Sequence, residues 1–175
     1  MAYMQVPPTE QDFIFNMQGI GGIQLGKMPK HVRGLIPLKD YRHRQRFMVL
    51  PDISRFYVFN GSLKARLRHP QSTIDIRYLL AGTNEQGFIN SLFVYPMPPG
   101  GHIAERLSQV YGEPRIGLGN LGGQVVNSNH FWVTEGETEI SYVGPEPSMR
   151  EMGIIVFRFF YDSEALHQFT LALKR

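Results

Sequence analysis

Residues 63–68 alternate strictly, with Leu63, Ala65 and Leu67 apolar and Lys64, Arg66 and Arg68 cationic. A period of two sends successive side chains to opposite faces, so this segment predicts a strand with one buried face and a row of cations on the other. Ile74, Ile76, Tyr78 and Leu80 repeat the period. Strand patterns rich in β-branched and aromatic residues cover 47–50, 55–60, 73–81 and 88–95. Turn signals at Asn60-Gly61, His69-Pro70 and 82–87 separate them, which predicts an antiparallel meander.

Helical spacing is found in two places on either side of the meander. After an apolar, glycine-rich stretch at 13–26, Met28, Val32 and Leu35 precede Pro37 and predict a short helix over 27–36. Residues 39–46 are polar and basic, and read as a loop or solvated face. The run PMPPGG at 96–101 reads as a linker, because prolines remove donors and paired glycines free the backbone. Ile103, Leu107, Val110 and Tyr111 then predict a helix over 102–111, stopped by Gly112 and Pro114. A glycine-rich loop is expected at 115–124, and a hairpin of strands 125–134 and 138–143 around 135–137. After a loop at 144–152, the unbroken apolar run 153–161 predicts a central strand covered on both faces. Ser163 is placed to cap a last helix over 164–174.

The fold class expected from this order is α+β, an antiparallel sheet or sheets with short helices packed on one face, arranged as two sequential helix-plus-sheet units. Residues 1–12 form a flexible segment, 13–95 a basic unit and 101–175 an acidic unit, the two packed as one compact domain.

Composition sharpens this reading. With 175 residues of which 42% are hydrophobic, the chain can bury one good core or two small adjoining ones. Charged residues at 19% and aromatics at 12% are the reverse of a disordered composition. No stretch reaches the ~20 apolar residues of a membrane-spanning helix, so membrane insertion is not expected. The first twelve residues lack the basic start and apolar run of a secretory signal, and the compartment, cytoplasmic or periplasmic, stays open. The absence of cysteine excludes disulfides, zinc–thiolate sites and thiol nucleophiles. The net charge of +3 is unevenly placed: residues 1–87 carry 12 Lys and Arg against 6 Asp and Glu, and residues 88–175 carry 6 against 9.

Residues 26–55 and 101–132 repeat a layout of short helix, proline, irregular connection and aromatic strand. The segment IQLGKMPKHVRGLIP, from Ile23 to Pro37, resembles the opening of the SmpA/BamE family of small envelope proteins. AERLSQVYGEP, from Ala104 to Pro114, followed by Trp132 on a strand, looks like the same plan, and the tandem arrangement is similar to that of the β-lactamase-inhibitor-protein family. The lipidated cysteine of many SmpA/BamE members has no counterpart here. What the resemblance implies is a noncatalytic binding surface on a sheet, of the inhibitor, immunity or assembly-factor kind.

Candidate chemistry is sparse. GGIQLGKM, from Gly21 to Met28, departs from the phosphate-binding loop by one letter, but Met28 stands where a magnesium-holding hydroxyl belongs, and the stretch reads as the lead into a short helix. No two of the six histidines lie three or four residues apart, and His102 with Glu105 at helical spacing reads as a surface pair, so no metal or other cofactor is called for. Glu135, Glu137 and Glu139 read as a solvated acidic edge rather than an acid–base pair. The basic half is the stronger candidate: Lys64, Arg66 and Arg68 on a strand face, Arg42 and Arg44 in the basic loop, and Tyr57 interleaved, joined by His130 and Trp132 in the second unit. The reading is a noncatalytic module binding a protein with an acidic surface. Cations beside aromatics also suit single-stranded nucleic acid, and an enzyme whose residues converge from distant positions is the third alternative.

Overall fold

The computed structural model describes residues 13–47, 52–61, 63–67, 72–97, 102–121, 124–134, 138–144 and 153–159. The expected segment 1–12, the His69-Pro70 turn, residues 98–101, Glu135, Glu137, most of the 144–152 loop and the helix at 164–174 lie outside the described residues, as do Arg68 and three positions of the strand expected at 47–50.

The chain is built on antiparallel strands. Three short ones, β1 (Phe15–Asn16), β2 (Gly19–Ile20) and β3 (Ile23–Gln24), form a small sheet of their own. Among the described residues the large sheet has nine strands: β4 (Leu35–Pro37), β5 (Phe56–Phe59), β6 (Leu63–Arg66), β7 (Thr73–Thr83), β8 (Ile89–Pro96), β9 (Arg115–Leu121), β10 (Gln124–Val133), β11 (Thr138–Val143) and β12 (Ile154–Phe159). Its order is β4-β5-β7-β8-β12-β11-β10-β9, with β6 pairing the far end of β7. The helix α1 (Ile103–Tyr111) carries the chain from β8 to the edge strand β9, and β10, β11 and β12 return until β12 closes against β8.

That closure corrects the two-unit expectation. Strands from before and after the 96–101 stretch share one sheet, through pairs such as Phe93↔Val156 and Leu92↔Phe157. Pro96 itself ends a strand, opposite Ile76. The run at 153–161 is central as expected, with Ile154 to Phe157 at most 1% exposed, because the sheet has apolar cover on both faces. The glycine-rich loop expected at 115–124 is instead strand β9 up to Leu121, paired to β10. Cross-strand hydrogen bonds outweigh the low strand propensity of glycine there.

The helix expected at 27–36 is not formed. Pro29–His31 make one 3-10 turn, Gly34 takes φ +89°, and Leu35–Pro37 pair with β5. A helix of ten residues bounded by prolines is marginal by itself, and a left-handed glycine inside it yields to an available sheet edge. The helix on which the first half of the family resemblance rests is therefore absent. Among the described residues α1 is the single α-helix.

Two of the sheet's register breaks fall in the middle of β7. Val58 faces Leu80 and Leu63 faces Ile76, so the β5–β6 segment carries one residue more than β7 over the same span. Ile76 faces Pro96 and Tyr78 faces Tyr95, so β7 in turn carries one residue more than β8. Bulges of this kind kink a strand and reset which face its side chains occupy. The period of two read through Ile74, Ile76, Tyr78 and Leu80 is thus interrupted at Arg77: Ile74 and Ile76 join Leu79 and Ala81 in the main core, and Tyr78 and Leu80 turn to the opposite face.

The main core lies between the sheet and three coverings: the small sheet, Val32 and α1. Phe15 stacks on Phe157 with centroids 6.3 Å apart. A Cβ on Gly19 would stand 2.1 Å from the Ile23 carbonyl oxygen, so the glycine-rich 13–26 stretch is a tightly fitted plug. Ile103 and Leu107 of α1 are buried, Tyr111 donates its hydroxyl to the Asn16 carbonyl at 2.7 Å, and the Trp132 indole donates to the Gly112 carbonyl at 2.8 Å. On the other face, Leu38 and Phe47 cover Phe56, Val58, Leu80 and Phe93. Phe47 closes a 3-10 turn, Arg44–Phe47, in place of beginning the strand expected at 47–50.

Candidate functional site

β6 presents its side chains as the alternation predicts. Leu63, Ala65 and Leu67 are at most 3% exposed in the main core, while Lys64 is exposed and Arg66 half-buried on the opposite face. The row of cations is partly answered from within the sheet: Lys64 sits directly across from Asp75 of β7, with Nζ 4.0 Å from Oδ1. Arg42 and Arg44 are exposed on the 38–47 segment, which covers another part of that same face. Close by, the guanidiniums of Arg46 and Arg77 lie 5.7 and 5.3 Å from the Tyr78 ring centre.

The aromatic members of the expected constellation lie elsewhere. Tyr57 points away from these cations and packs against the main core. Trp132 is 3% exposed, and its indole N–H is engaged by Gly112. His130 is half-buried on β10 opposite Tyr142, and its Nδ1 is shielded with no hydrogen-bond partner among the described residues. Burial pushes the Tyr142 hydroxyl above its ordinary pKa of 10.0, because the phenolate would be poorly solvated there.

Two other expectations resolve differently. Glu139 is not part of a solvated edge: it lies on β11 directly across from Arg158 of β12, and the two side chains form an ion pair that is 13% and 11% exposed. His102 and Glu105 do come together, with Nδ1 3.3 Å from Oε2, but on the open surface at the start of α1.

A cleft of about 570 Å³ opens at the bend of the β5–β6 segment. β4 holds the outer edge of β5 as far as Phe59, and Ile14 bridges Arg66 farther along, so the two edge partners part around Asn60 and Gly61. Phe13 and Phe59 meet edge to face at 5.6 Å in this gap. Lys27, His31 and Arg33, all exposed, stand around it, and no acidic side chain is among the described residues that line it.

Comparison with protein-family models, characterised proteins and solved structures returns no match.

Lys27 and Arg33 belong to the basic half that the sequence singles out, but Phe13 and Phe59 carry no local signal. They are distant in the chain and meet only because Phe13 is tied to β6 through the Arg66 amide, 2.8 Å from its carbonyl. Gly22 and Lys27 of the phosphate-loop-like stretch also line the cleft. The amides around them are already used: Gly21 donates to Ile14, Leu25 to Gln18 and Gly26 to Ile89 at 2.7–3.0 Å. They form no cradle for a phosphate, and recognition here falls to side chains.

Proposed function

We propose that this protein is a noncatalytic binding module whose basic first half docks on the acidic surface of a protein partner. The observation that carries this reading is that Tyr57 and Trp132 are turned into the packing, away from Arg42, Arg44 and Lys64. Arg42 and Arg44 stand in solvent on the 38–47 segment and Lys64 on β6, while Tyr57 and Trp132 are drawn into the main core on the other face of the sheet. Single-stranded nucleic acid is held by cations together with aromatic faces on which bases stack, and Tyr57 and Trp132 offer no such face to Arg42, Arg44 and Lys64. An acidic protein surface needs only complementary charge held in a fixed pattern, which steers association and sets orientation.

The test is affinity capture from the source organism's extract, with and without nuclease, followed by mass spectrometry. The bait is compared with a variant carrying Arg42→Glu, Arg44→Glu, Lys64→Glu and Arg66→Glu. The expected result is a nuclease-resistant protein partner retained by the parent chain and lost by the variant. Capture that disappears with nuclease assigns the surface to nucleic acid, and capture unchanged in the variant rejects the surface altogether.

A further inference from the structure

We infer that Arg46 and Arg77, gathered on the Tyr78 ring, are the anchor of the basic surface and take paired carboxylates from one acidic segment of a protein partner. This rests on the binding-module reading and names the point of contact and its chemistry.

The cluster is a product of the bulge in β7. An unbroken strand sends neighbouring side chains to opposite faces, whereas β7 carries one residue more than β8 between Ile76, which faces Pro96, and Tyr78, which faces Tyr95. Arg77 is that extra residue, and its guanidinium comes to 5.3 Å from the ring centre of its own neighbour, Tyr78. Bulges re-aim side chains in this way and are over-represented next to active sites. Arg46 reaches the same ring, at 5.7 Å, from the 3-10 turn Arg44–Phe47. One ring thus collects cations from two segments far apart in the chain.

The ring and its cations are set before a partner arrives, which spares the entropy of ordering them on binding. Phe47 and Tyr95 meet Tyr78 edge to face, with centroids 5.5 and 6.3 Å away. Phe47 is itself buried, which ties the turn carrying Arg46 to the core, and the Arg46 amide donates to the His43 carbonyl at 3.2 Å. Both arginines are exposed, while Tyr78 is half-buried. A guanidinium is always charged, and held over a ring it keeps in-plane N–H donors that match a carboxylate two for two. Among the described residues neither arginine forms an ion pair; Asp75, on the same strand, is instead placed across from Lys64. The chain stretches that adjoin these elements, 48–51, 68–71 and 98–101, contain no Asp or Glu. Guanidiniums over the Tyr78 ring take the face on which a base would stack. Arginine and tyrosine held rigidly together are the residue types that anchor protein interfaces.

The experiment is two-dimensional NMR on the full chain, following backbone amides and arginine Nε–H signals during titration with a capped hexapeptide of alternating glutamate and glycine. Control ligands are the same peptide with glutamine for glutamate, inorganic phosphate and a thymidine hexanucleotide. The expected result is saturable shifts centred on Arg46, Arg77 and Tyr78, no response to the glutamine peptide, and a Kd raised about tenfold or more in Arg46→Lys with Arg77→Lys. These two exposed changes keep the charge and remove the forks, and an unaltered melting temperature certifies the fold. Arg42→Lys with Arg44→Lys should change Kd by less than about twofold. Equal weakening in the two pairs, or shifts centred on Arg42, Arg44 or Lys64, overturns the anchor and leaves the module reading standing. Phosphate bound as tightly as the peptide reduces the cluster to a general anion site, and preference for the oligonucleotide assigns it to nucleic acid; either overturns the inference. No response to the glutamate peptide also overturns it, and together with failed capture above it overturns both readings.

Discussion

Replacing Leu107 by alanine isolates the contribution of α1 to the core. Leu107 is fully buried among Ile103, Trp132, Ile140 and Phe157. The change removes three apolar carbons, and at about 0.8 kcal/mol each the lost transfer free energy is about 2.4 kcal/mol. The space left behind adds to this in proportion to how poorly the surroundings collapse, so leucine-to-alanine changes range from about 2 to about 5 kcal/mol. Collapse is hindered here because the helix is pinned at three points: Arg106 bonds to Ser72 at 3.0 Å and to the Thr73 carbonyl, Tyr111 to Asn16, and Gly112 to Trp132. We therefore expect about 3–5 kcal/mol. Trp132 is the only tryptophan and is buried beside the helix, so its emission reports unfolding in urea directly. The midpoint should fall with the slope unchanged. Glu105→Ala, on the exposed face of the same helix, should stay within about 0.5 kcal/mol. Equal losses at the two positions, or less than about 1 kcal/mol at Leu107, would refute the docking of this helix.

Three further outcomes are expected. Gly34→Ala forces a side chain into a positive φ and against the Phe59 ring, so urea denaturation should show a loss of about 1–3 kcal/mol. Glu139→Leu leaves the Arg158 charge nearly buried without its carboxylate and should cost about 3–5 kcal/mol, whereas Glu139→Leu with Arg158→Met should recover most of that; a double variant no more stable than the single one would contradict the pairing. Because the Tyr142 pKa is raised on folding, the unfolded chain releases that proton first as pH climbs past 10.0. Its contribution to stability is intact below that pH and is lost as pH rises toward the folded-state value. Thermal melts from pH 8 to 11.5 should therefore fall less steeply for Tyr142→Phe than for the parent chain.

Local pattern was enough wherever an element's own residues decide its burial. The alternation around Leu63, Ala65 and Leu67 identified the inner and outer faces of β6, the stripe Ile103–Leu107 identified the buried side of α1, and the unbroken run at Ile154–Phe157 identified a strand covered twice. Periodicity reports which side chains need cover, and these segments keep one period throughout. It does not report who provides the cover. Met28, Val32 and Leu35 have helical spacing, yet a sheet edge took Leu35 and Gly34 turned left-handed to reach it. The glycines at 115–121 read as a loop until β10 supplied a pairing partner. Arg77 interrupts an alternation that looks continuous in the letters, because a bulge is set by the register of neighbouring strands. The cleft follows the same rule: its cations were legible as charge, but Phe13 and Phe59 become one floor only when a bent strand parts its two edge partners, a consequence of pairing between residues far apart in the chain.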